Sequence, residues 1–201
     1  MAAWLFTVMD VHDPQGYEAY RAQVAPLIAA AGGRYVVRGG ATRTVEGTWP
    51  KGRTVILEFP DMAALDGFMA GPDYAPVKAI RHRTARSVVI AAEGYPDAAP
   101  AVPGRAYLVG NNSVTDPARF KAYADRVPGL LTAAGGRYLV RGGAARVLEG
   151  DWPAQRLVIA EFPSMGALEA FYFGPAYGEI LPIRLASGDG NVVLVEGYAG
   201  G

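Results

Sequence analysis

The chain has 201 residues, of which 51% are hydrophobic, and its 19 Lys and Arg residues balance its 19 Asp and Glu residues. This balance argues against a nucleic-acid partner, because a protein that binds nucleic acid needs a basic face to displace counterions from phosphates. The absence of cysteine excludes disulfides, a thiolate nucleophile and a cysteine-ligated metal. The N-terminus lacks the basic region of a signal peptide, and no apolar run approaches the ~20 residues of a membrane span. We therefore expect a cytoplasmic protein with no membrane partner.

The first elements of the chain are a strand and a helix. Residues 4–11 are apolar and rich in strand-forming side chains. Asp13 and Pro14 follow, as an N-cap and a first-turn proline whose missing N–H costs nothing there. Apolar side chains then recur at three- and four-residue steps over residues 17–31. This spacing predicts one buried helix face, and Gly32-Gly33 ends the helix.

Two strands follow this helix. Residues 35–37 begin the second strand, and Gly39-Gly40 mark a bulge or bend. Residues 47–52 form a loop that is rich in glycine and proline, and residues 54–59 form the third strand.

A second helical region and a last strand complete the unit. Asp61 caps the second helix, which breaks at Gly71-Pro72 and resumes as a short helix over residues 74–80. Residues 88–93 form the last strand. The order strand–helix–strand–strand–helix–strand predicts an α+β, ferredoxin-like βαββαβ unit.

The same pattern recurs 103 residues later without a gap. The shared segments include Gly32-Gly33-Arg34-Tyr35 with Gly135-Gly136-Arg137-Tyr138, Trp49-Pro50 with Trp152-Pro153, and Glu58-Phe59-Pro60 with Glu161-Phe162-Pro163. The period is too long for a solenoid repeat, so each copy is expected to be a complete fold. We predict a first domain at residues 1–96, a linker at 97–103 and a second domain at 104–201.

One face of each predicted sheet has no helix to cover it. In the first copy this face carries Trp4, Phe6 and Val8 or the residues that alternate with them. Such a face must be buried against another layer. The second copy is the expected partner, so the two sheets should pack face to face.

The repeated motifs resemble those of the DUF1330 family, present here in tandem. The resemblance rests on Gly-Gly-Arg-Tyr, Arg-Gly-Gly, Glu-Gly-x-Trp-Pro, Glu-Phe-Pro, Gly-Pro-x-Tyr and a closing Glu-Gly, and it covers nearly all of both halves. It implies a dimeric α+β barrel, in which two ferredoxin-like units enclose a cavity between their sheets. Here the barrel would form within one chain, as a monomer or weak homodimer. The family's function is unknown; its superfamily includes haem-degrading and cofactor-free monooxygenases, isomerases and cyclases.

Two pairs of charged residues are the first candidates for a site. Arg38 and Arg141 stand beside glycine pairs, where an inward arginine would hold a carboxylate or phenolate. Glu58 and Glu161 lie late in the third strand of each unit, and burial would raise the pKa of such a glutamate and suit it to general base catalysis. The alternative is structural: the arginines lie at an outer edge or pair with these glutamates.

The first strand of the second half is more polar than that of the first half. Asn111 and Asn112 stand where the first half has Val8 and Met9, and they point to opposite faces of the strand. A buried asparagine needs a hydrogen-bond partner, so an inward one is a candidate ligand contact. The alternative is drift after duplication.

Aromatic and imidazole side chains supply the remaining candidates. Tyr74 and Tyr177 follow Gly-Pro-x and either bind a ligand at the cavity mouth or anchor the helix break. His12 lies at a strand end, where it either contacts a ligand or packs on Tyr17. His82 lies far from it in a basic stretch, so the two histidines do not have metal-ligand spacing. We expect no metal and no cofactor, and no nucleotide-binding motif is present.

Three functions are compatible with these residues. The first is the binding of a small organic molecule in the cavity between the two sheets. The second is a cofactor-free isomerase, cyclase or monooxygenase, with a strand glutamate as base and an arginine as anion stabiliser. The third is a barrel packed with side chains that acts as an assembly module.

Overall fold

The computed structural model of the protein describes residues 1–152 and 155–200. Pro153, part of the repeated Trp-Pro motif, lies outside the described residues. The strands are β1 (Ala3–Val11), β2 (Arg34–Arg38), β3 (Thr42–Glu46), β4 (Arg53–Phe59), β5 (Ala85–Glu93), β6 (Ala106–Asn112), β7 (Arg137–Arg141), β8 (Ala145–Glu149), β9 (Arg156–Phe162) and β10 (Gly190–Glu196). The helices are α1 (Pro14–Ala30), α2 (Met62–Ala70), α3 (Tyr74–Thr84), α4 (Pro117–Ala124), α5 (Val127–Ala133), α6 (Met165–Tyr172) and α7 (Pro175–Leu185).

The helices begin at the capping residues that the sequence predicts. The side chain of Asp13 accepts a hydrogen bond from the Gly16 amide at 2.9 Å, and that of Asp61 accepts one from the Ala64 amide at 2.8 Å. These bonds satisfy amide groups that have no partner within the helix. None of the helices in the described parts of the chain is long and apolar enough to cross a membrane.

The strands form two five-stranded antiparallel sheets, in the orders β2-β4-β1-β5-β8 and β3-β10-β6-β9-β7. This α+β barrel confirms the predicted fold class. Two strands, however, are exchanged between the repeats. β3 of the first repeat pairs with β10, and β8 of the second repeat pairs with β5. Each sheet therefore contains the four expected strands of one repeat and an edge strand from the other repeat. The domain boundaries 1–96 and 104–201 stay a prediction.

The glycine pair after β2 allows the chain to cross from one sheet to the other. Gly39 has a φ of +75°, a left-handed conformation that favours glycine. A Cβ on Gly40 would lie 2.6 Å from the backbone oxygen of Glu196, at the end of β10 in the other sheet. The bend that the sequence predicts here is the start of the strand exchange.

The space between the two sheets is filled by side chains. Trp4, Phe6 and Val8 are at most 2% exposed and pack there in one cluster with residues of the second sheet. Trp49 and Trp152 meet edge to face with ring centroids 5.1 Å apart, and both rings contact Phe6. The packing of this face is as predicted, but it corrects the expected place of the cavity. The pockets that we describe lie on the opposite face of each sheet, beneath the helices.

Candidate ligand-binding pockets

The first pocket lies between α1, α2, α3 and the helix-covered face of the first sheet. Its cavity volume is about 40 Å³. It is lined by apolar side chains from the strands, such as Leu57 and Val89, and by a polar set from strands and helices together. The members of this set that recur in the second half are Tyr20, Tyr35, Arg38, Arg53, Tyr74 and Arg81.

The second pocket is the counterpart of the first. Its volume is about 50 Å³, and its polar set is Tyr123, Tyr138, Arg141, Arg156, Tyr177 and Arg184. Every one of its 13 lining residues corresponds, at the shift of 103, to a residue that lines the first pocket. The duplication has therefore kept two pockets of the same construction, one in each half.

The polar lining of both pockets is cationic. Three arginines line each pocket at equivalent positions, and Arg21 is a fourth in the first pocket. None of the described lining residues of either pocket is an aspartate, glutamate or histidine. The pockets therefore favour an anion and offer no carboxylate or imidazole as a base.

Arg38 and Arg141, both predicted ligand contacts, lie in these pockets. The Arg38 guanidinium lies 4.5 Å from the ring centre of Tyr35 and donates a 3.2 Å hydrogen bond to the hydroxyl of Tyr198. Arg141 lies 4.9 Å from the ring centre of Tyr138. Within residues 1–152 and 155–200, neither arginine forms an ion pair with a carboxylate. Their charge remains available to a ligand.

Arg53 is held beside Arg38. Its Nη2 donates to the Arg38 backbone oxygen at 3.0 Å, while its buried Nε has no hydrogen-bond partner among the described residues. Burial, followed by repulsion from Arg141, lowers the pKa of the equivalent Arg156. Two cations thus lie close together in each pocket, and an anion between them would relieve the repulsion.

The third arginine of each pocket is neutralised by a strand from the other repeat. Arg81 binds both carboxylate oxygens of Glu149 on β8, and Arg184 binds Glu46 on β3. Burial tends to raise the pKa of Glu149, but the hydrogen bonds from Arg81 and His82 outweigh it and hold the pKa below its usual value. The exchanged strands therefore carry the counterions of the pocket arginines.

Tyr74 and Tyr177, the predicted tyrosine contacts, also line the two pockets. The hydroxyls of Tyr123 and Tyr177 are 3.2 Å apart. Burial raises the pKa of Tyr20, Tyr123 and Tyr177. These hydroxyls are therefore protonated at neutral pH and act as hydrogen-bond donors and acceptors rather than as bases.

Glu58 and Glu161, the predicted bases, lie outside both sets of lining residues. Glu58 accepts a hydrogen bond from Arg34 Nε at 2.8 Å and another from the Ala101 amide at 3.2 Å. Glu161 accepts from Arg137 Nε at 2.9 Å and from the Val102 amide at 2.7 Å. These contacts fit the structural alternative, with a different arginine from the one expected. General base catalysis by either glutamate stays a prediction.

The remaining candidates are divided among three places. Asn112 lines the second pocket, and its buried Oδ1 has no hydrogen-bond partner among the described residues. Asn111 is 1% exposed and accepts a 3.1 Å hydrogen bond from the Gln155 amide. His12 is exposed, is not one of the residues lining either pocket, and lies 3.1 Å from the Arg83 backbone oxygen through its Nε2. The opposite orientations predicted for the two asparagines are consistent with these contacts.

Sequence reasoning missed several residues of this site. They are Arg53, Arg81 and Glu46 of the first repeat and Arg156, Arg184 and Glu149 of the second. The four arginines lie outside the repeated motifs, whereas Glu46 and Glu149 open the Glu-Gly-x-Trp-Pro motif without having been considered as site residues. The signal that could have found all six is their retention as charged residues at the shift of 103.

Comparison with known proteins places the sequence in a family and its structure among known folds. The model of a domain of unknown function, DUF1330, matches residues 2–95 and again residues 105–198. No curated protein matches the chain significantly.

Solved structures of the same fold match nearly the whole chain. A candidate monooxygenase from Lactobacillus acidophilus NCFM is 15% identical with a TM-score of 0.56, covering 97% of this chain and 96% of that one. An anthrone oxidase-like protein is 17% identical with a TM-score of 0.56, covering 100% and 94%. A mutant chlorite dismutase from Candidatus Nitrospira defluvii is 7% identical with a TM-score of 0.55, covering 98% and 90%. At these identities the similarity concerns the fold alone.

Proposed function

This chain belongs to the DUF1330 family in both of its halves, and we propose that each half binds one small, planar, anionic organic molecule beneath its helices. The observation that carries the proposal is the lining of the two pockets. Each pocket presents three arginines and three tyrosines at equivalent positions and no acidic lining residue among those described. Two of the three arginines in each pocket have no carboxylate partner among the described residues, and such cations in a partly buried site favour an anionic ligand.

The pocket arginines suit a carboxylate or a phenolate. A guanidinium donates two parallel hydrogen bonds to the two oxygens of a carboxylate, or donates to the single oxygen of a phenolate. The planar ends of Arg38 and Arg53 lie on the same side of the sheet as the Tyr35 ring. The tyrosine rings and apolar strand residues would contact the body of the ligand. An aromatic acid or a phenol combines both requirements.

The volume of the pockets limits how the ligand enters. A cavity needs a volume of roughly 10–15 Å³ to hold one water molecule. Cavities of about 40 and 50 Å³ therefore hold a few waters. An aromatic acid therefore binds only if lining side chains change rotamer, as interface side chains commonly do. Arg21 and Met69 are the candidates in the first pocket, because Arg21 is 43% exposed and Met69 is flexible and only partly buried.

A cofactor-free enzyme is the second candidate. It is favoured by Arg38 and Arg53, which have no carboxylate partner among the described residues. Arg38 and Arg53 would lower the pKa of a bound phenol or enol by stabilising its anion. Because no carboxylate or imidazole is found among the described lining residues, the substrate would have to ionise through this effect alone. An isomerase or cyclase reaction would then proceed from the stabilised anion, and a monooxygenase reaction would also need dioxygen as the oxidant.

The remaining expectations concern the state of the protein in the cell. The fused barrel supplies within one chain the sheet pairing that a dimer would otherwise provide. We therefore expect a monomer or a weak homodimer. We also expect a cytoplasmic location.

Native mass spectrometry of the purified protein, before and after denaturation, tests for a co-purified ligand. Titration calorimetry with benzoate then tests the pockets. We expect two benzoate molecules per chain, one site lost in Arg38→Met and the other lost in Arg141→Met. Arg86→Met is the matched control, because Arg86 is exposed and is not a lining residue of either pocket. Benzoate binding that is unchanged in both pocket variants, or absent from the wild type, would contradict the proposal.

A further inference from the structure

We infer that the two pockets differ in specificity, and that the second selects a ligand carrying a hydroxyl group that the first does not require. The inference rests on the proposed function, since it concerns the ligand of those same pockets. It follows from a pair of substitutions between the two halves. These substitutions remove a hydroxyl from the second pocket and add an acceptor beside it.

In the first pocket the hydroxyl belongs to the protein. The phenol of Tyr17 donates a 3.3 Å hydrogen bond to the sulfur of Met9, and both residues line the pocket. The donor is thereby used within the protein. A ligand meets no polar group at this point that needs a partner.

In the second pocket the corresponding residues are Phe120 and Asn112. Phe120 has no hydroxyl to donate. The Oδ1 of Asn112 is buried and has no hydrogen-bond partner among the described residues. A buried acceptor of this kind is unfavourable until a donor reaches it.

Two further substitutions make room for such a donor. Gly110 stands where the first half has Thr7, and Ala124 stands where it has Arg21. Both changes shorten a side chain. A Cβ on Gly110 would lie 3.1 Å from Asn112 Nδ2, so the missing side chain gives the Asn112 amide its place beside the pocket. Asn112 on β6 and Phe120 and Ala124 on α4 all line the second pocket.

The ligand of the second pocket then has a defined chemistry. Its acid group binds Arg141 and Arg156, and a ring hydroxyl takes the place of the Tyr17 hydroxyl and donates to Asn112 Oδ1. A hydroxylated aromatic acid meets both requirements. In the first pocket the same hydroxyl would meet Tyr17 and a sulfur that already accepts its hydrogen bond, so it gains nothing there.

The test compares benzoate with 3-hydroxybenzoate and 4-hydroxybenzoate by calorimetry on isolated pockets. Arg141→Met leaves the first pocket for study, and Arg38→Met leaves the second. For the second pocket we expect one of the hydroxybenzoates to bind roughly five- to tenfold more tightly than benzoate, as one buried hydrogen bond provides. For the first pocket we expect the hydroxybenzoates and benzoate to bind equally tightly, so that the ratio of their affinities is near one.

Two substitutions in the Arg38→Met background assign the effect to its residues. Asn112→Met removes the acceptor, and Phe120→Tyr supplies a protein hydroxyl to it; each is expected to bring the ratio down to near one. Phe120→Tyr also guards against a failure of Asn112→Met to fold. In the Arg141→Met background, Met9→Asn combined with Tyr17→Phe is expected to raise the ratio in the first pocket.

The outcomes separate this inference from the proposed function. Equal ratios in the two isolated pockets, with benzoate bound by both, would overturn the specificity difference and leave the binding function standing. A raised ratio in the second pocket that survives both Asn112→Met and Phe120→Tyr would also overturn it. If neither benzoate nor a hydroxybenzoate binds the wild type, the inference and the proposed function fail together.

Discussion

Arg81 of the first repeat and Glu149 of the second form a two-point ion pair, in which Nη1 and Nη2 donate to the two carboxylate oxygens at 2.9 and 2.7 Å. Arg184 and Glu46 form the equivalent pair in the other half. Each pair joins a pocket to a strand that the other repeat contributes. The integrity of each pocket therefore depends on both halves of the chain.

Replacing Glu149 by Gln is expected to lower the free energy of unfolding by about 3 kcal/mol, because it leaves the buried charge of Arg81 without a counterion. The Arg81 side chain is 2% exposed and that of Glu149 is 19% exposed, so water can solvate the unpaired charge of Arg81 only poorly. Urea unfolding measures the change. The control is Glu18→Gln, which breaks the exposed Glu18–Arg21 pair and should change stability by less than about 1 kcal/mol. Equal effects of the two substitutions would contradict the importance of the buried pair.

The same glutamate predicts a dependence of stability on pH. The folded protein holds the pKa of Glu149 below its usual 4.5, since Arg81 and His82 outweigh the effect of burial. A lowered pKa in the folded state means that the contribution of the pair is complete above pH 4.5 and is lost as the pH falls through the folded pKa. The difference in unfolding free energy between the wild type and Glu149→Gln should therefore shrink from about pH 7 to about pH 3. A difference that stays constant over this pH range would contradict the predicted role of the Glu149 carboxylate.

Gly39→Ala is expected to damage both stability and the first pocket. The φ of +75° strains an alanine, and its Cβ would lie 2.7 Å from Nη2 of Arg53. We expect a loss of about 1–2 kcal/mol in unfolding free energy and weaker benzoate binding at the first pocket. Gly67→Ala is the matched control, because Gly67 lies within α2 and its Cβ would come within 4 Å of no described atom beyond its chain neighbours and the backbone of α2. It should stabilise the protein by up to about 1 kcal/mol.

Glu58→Gln and Glu161→Gln separate a structural role from general base catalysis. If these glutamates hold the linker, the amides of Ala101 and Val102 should exchange hydrogen faster in the variants, while benzoate affinity stays within about twofold of the wild type. Hydrogen exchange with mass spectrometry and calorimetry give the two readouts. The opposite result would support general base catalysis instead. In that result, hydrogen exchange in the linker is unchanged and the variants no longer turn over a substrate that the wild type converts.

Local patterns in the sequence predicted most of the helices and central strands. The caps at Asp13 and Asp61 and the apolar alternation of Trp4, Phe6 and Val8 depend on neighbours in the chain, and the structure has them as predicted. β3 was missed because its residues are mostly exposed and polar, and its pairing partner β10 belongs to the other repeat. A strand held by a distant edge has little periodicity of its own.

The place of the pockets could not be predicted for a related reason. Whether a sheet face is packed or hollow depends on how closely the opposing layer fits, and that fit is set by contacts between the repeats. The indole rings of Trp49 and Trp152 fill the space between the sheets from loops whose position follows from the strand exchange. Arg38 and Tyr74, predicted as contacts of a ligand between the sheets, line the pocket on the other face of the sheet, and their role as ligand contacts stays a prediction.

The exchange of β3 and β8 has a consequence for the order in which the chain folds during synthesis. When the first repeat leaves the ribosome, its sheet lacks the edge strand β8 and Arg81 lacks the carboxylate of Glu149. β3 has no partner until β10 of the second repeat is made. The polar sequence of β3, with Thr42, Arg43 and Thr44 exposed, suits a strand that must wait in water without pairing with another chain. Two repeats in the sequence thus make one cooperative folding unit, which should unfold in a single transition and should not survive cleavage into separated halves.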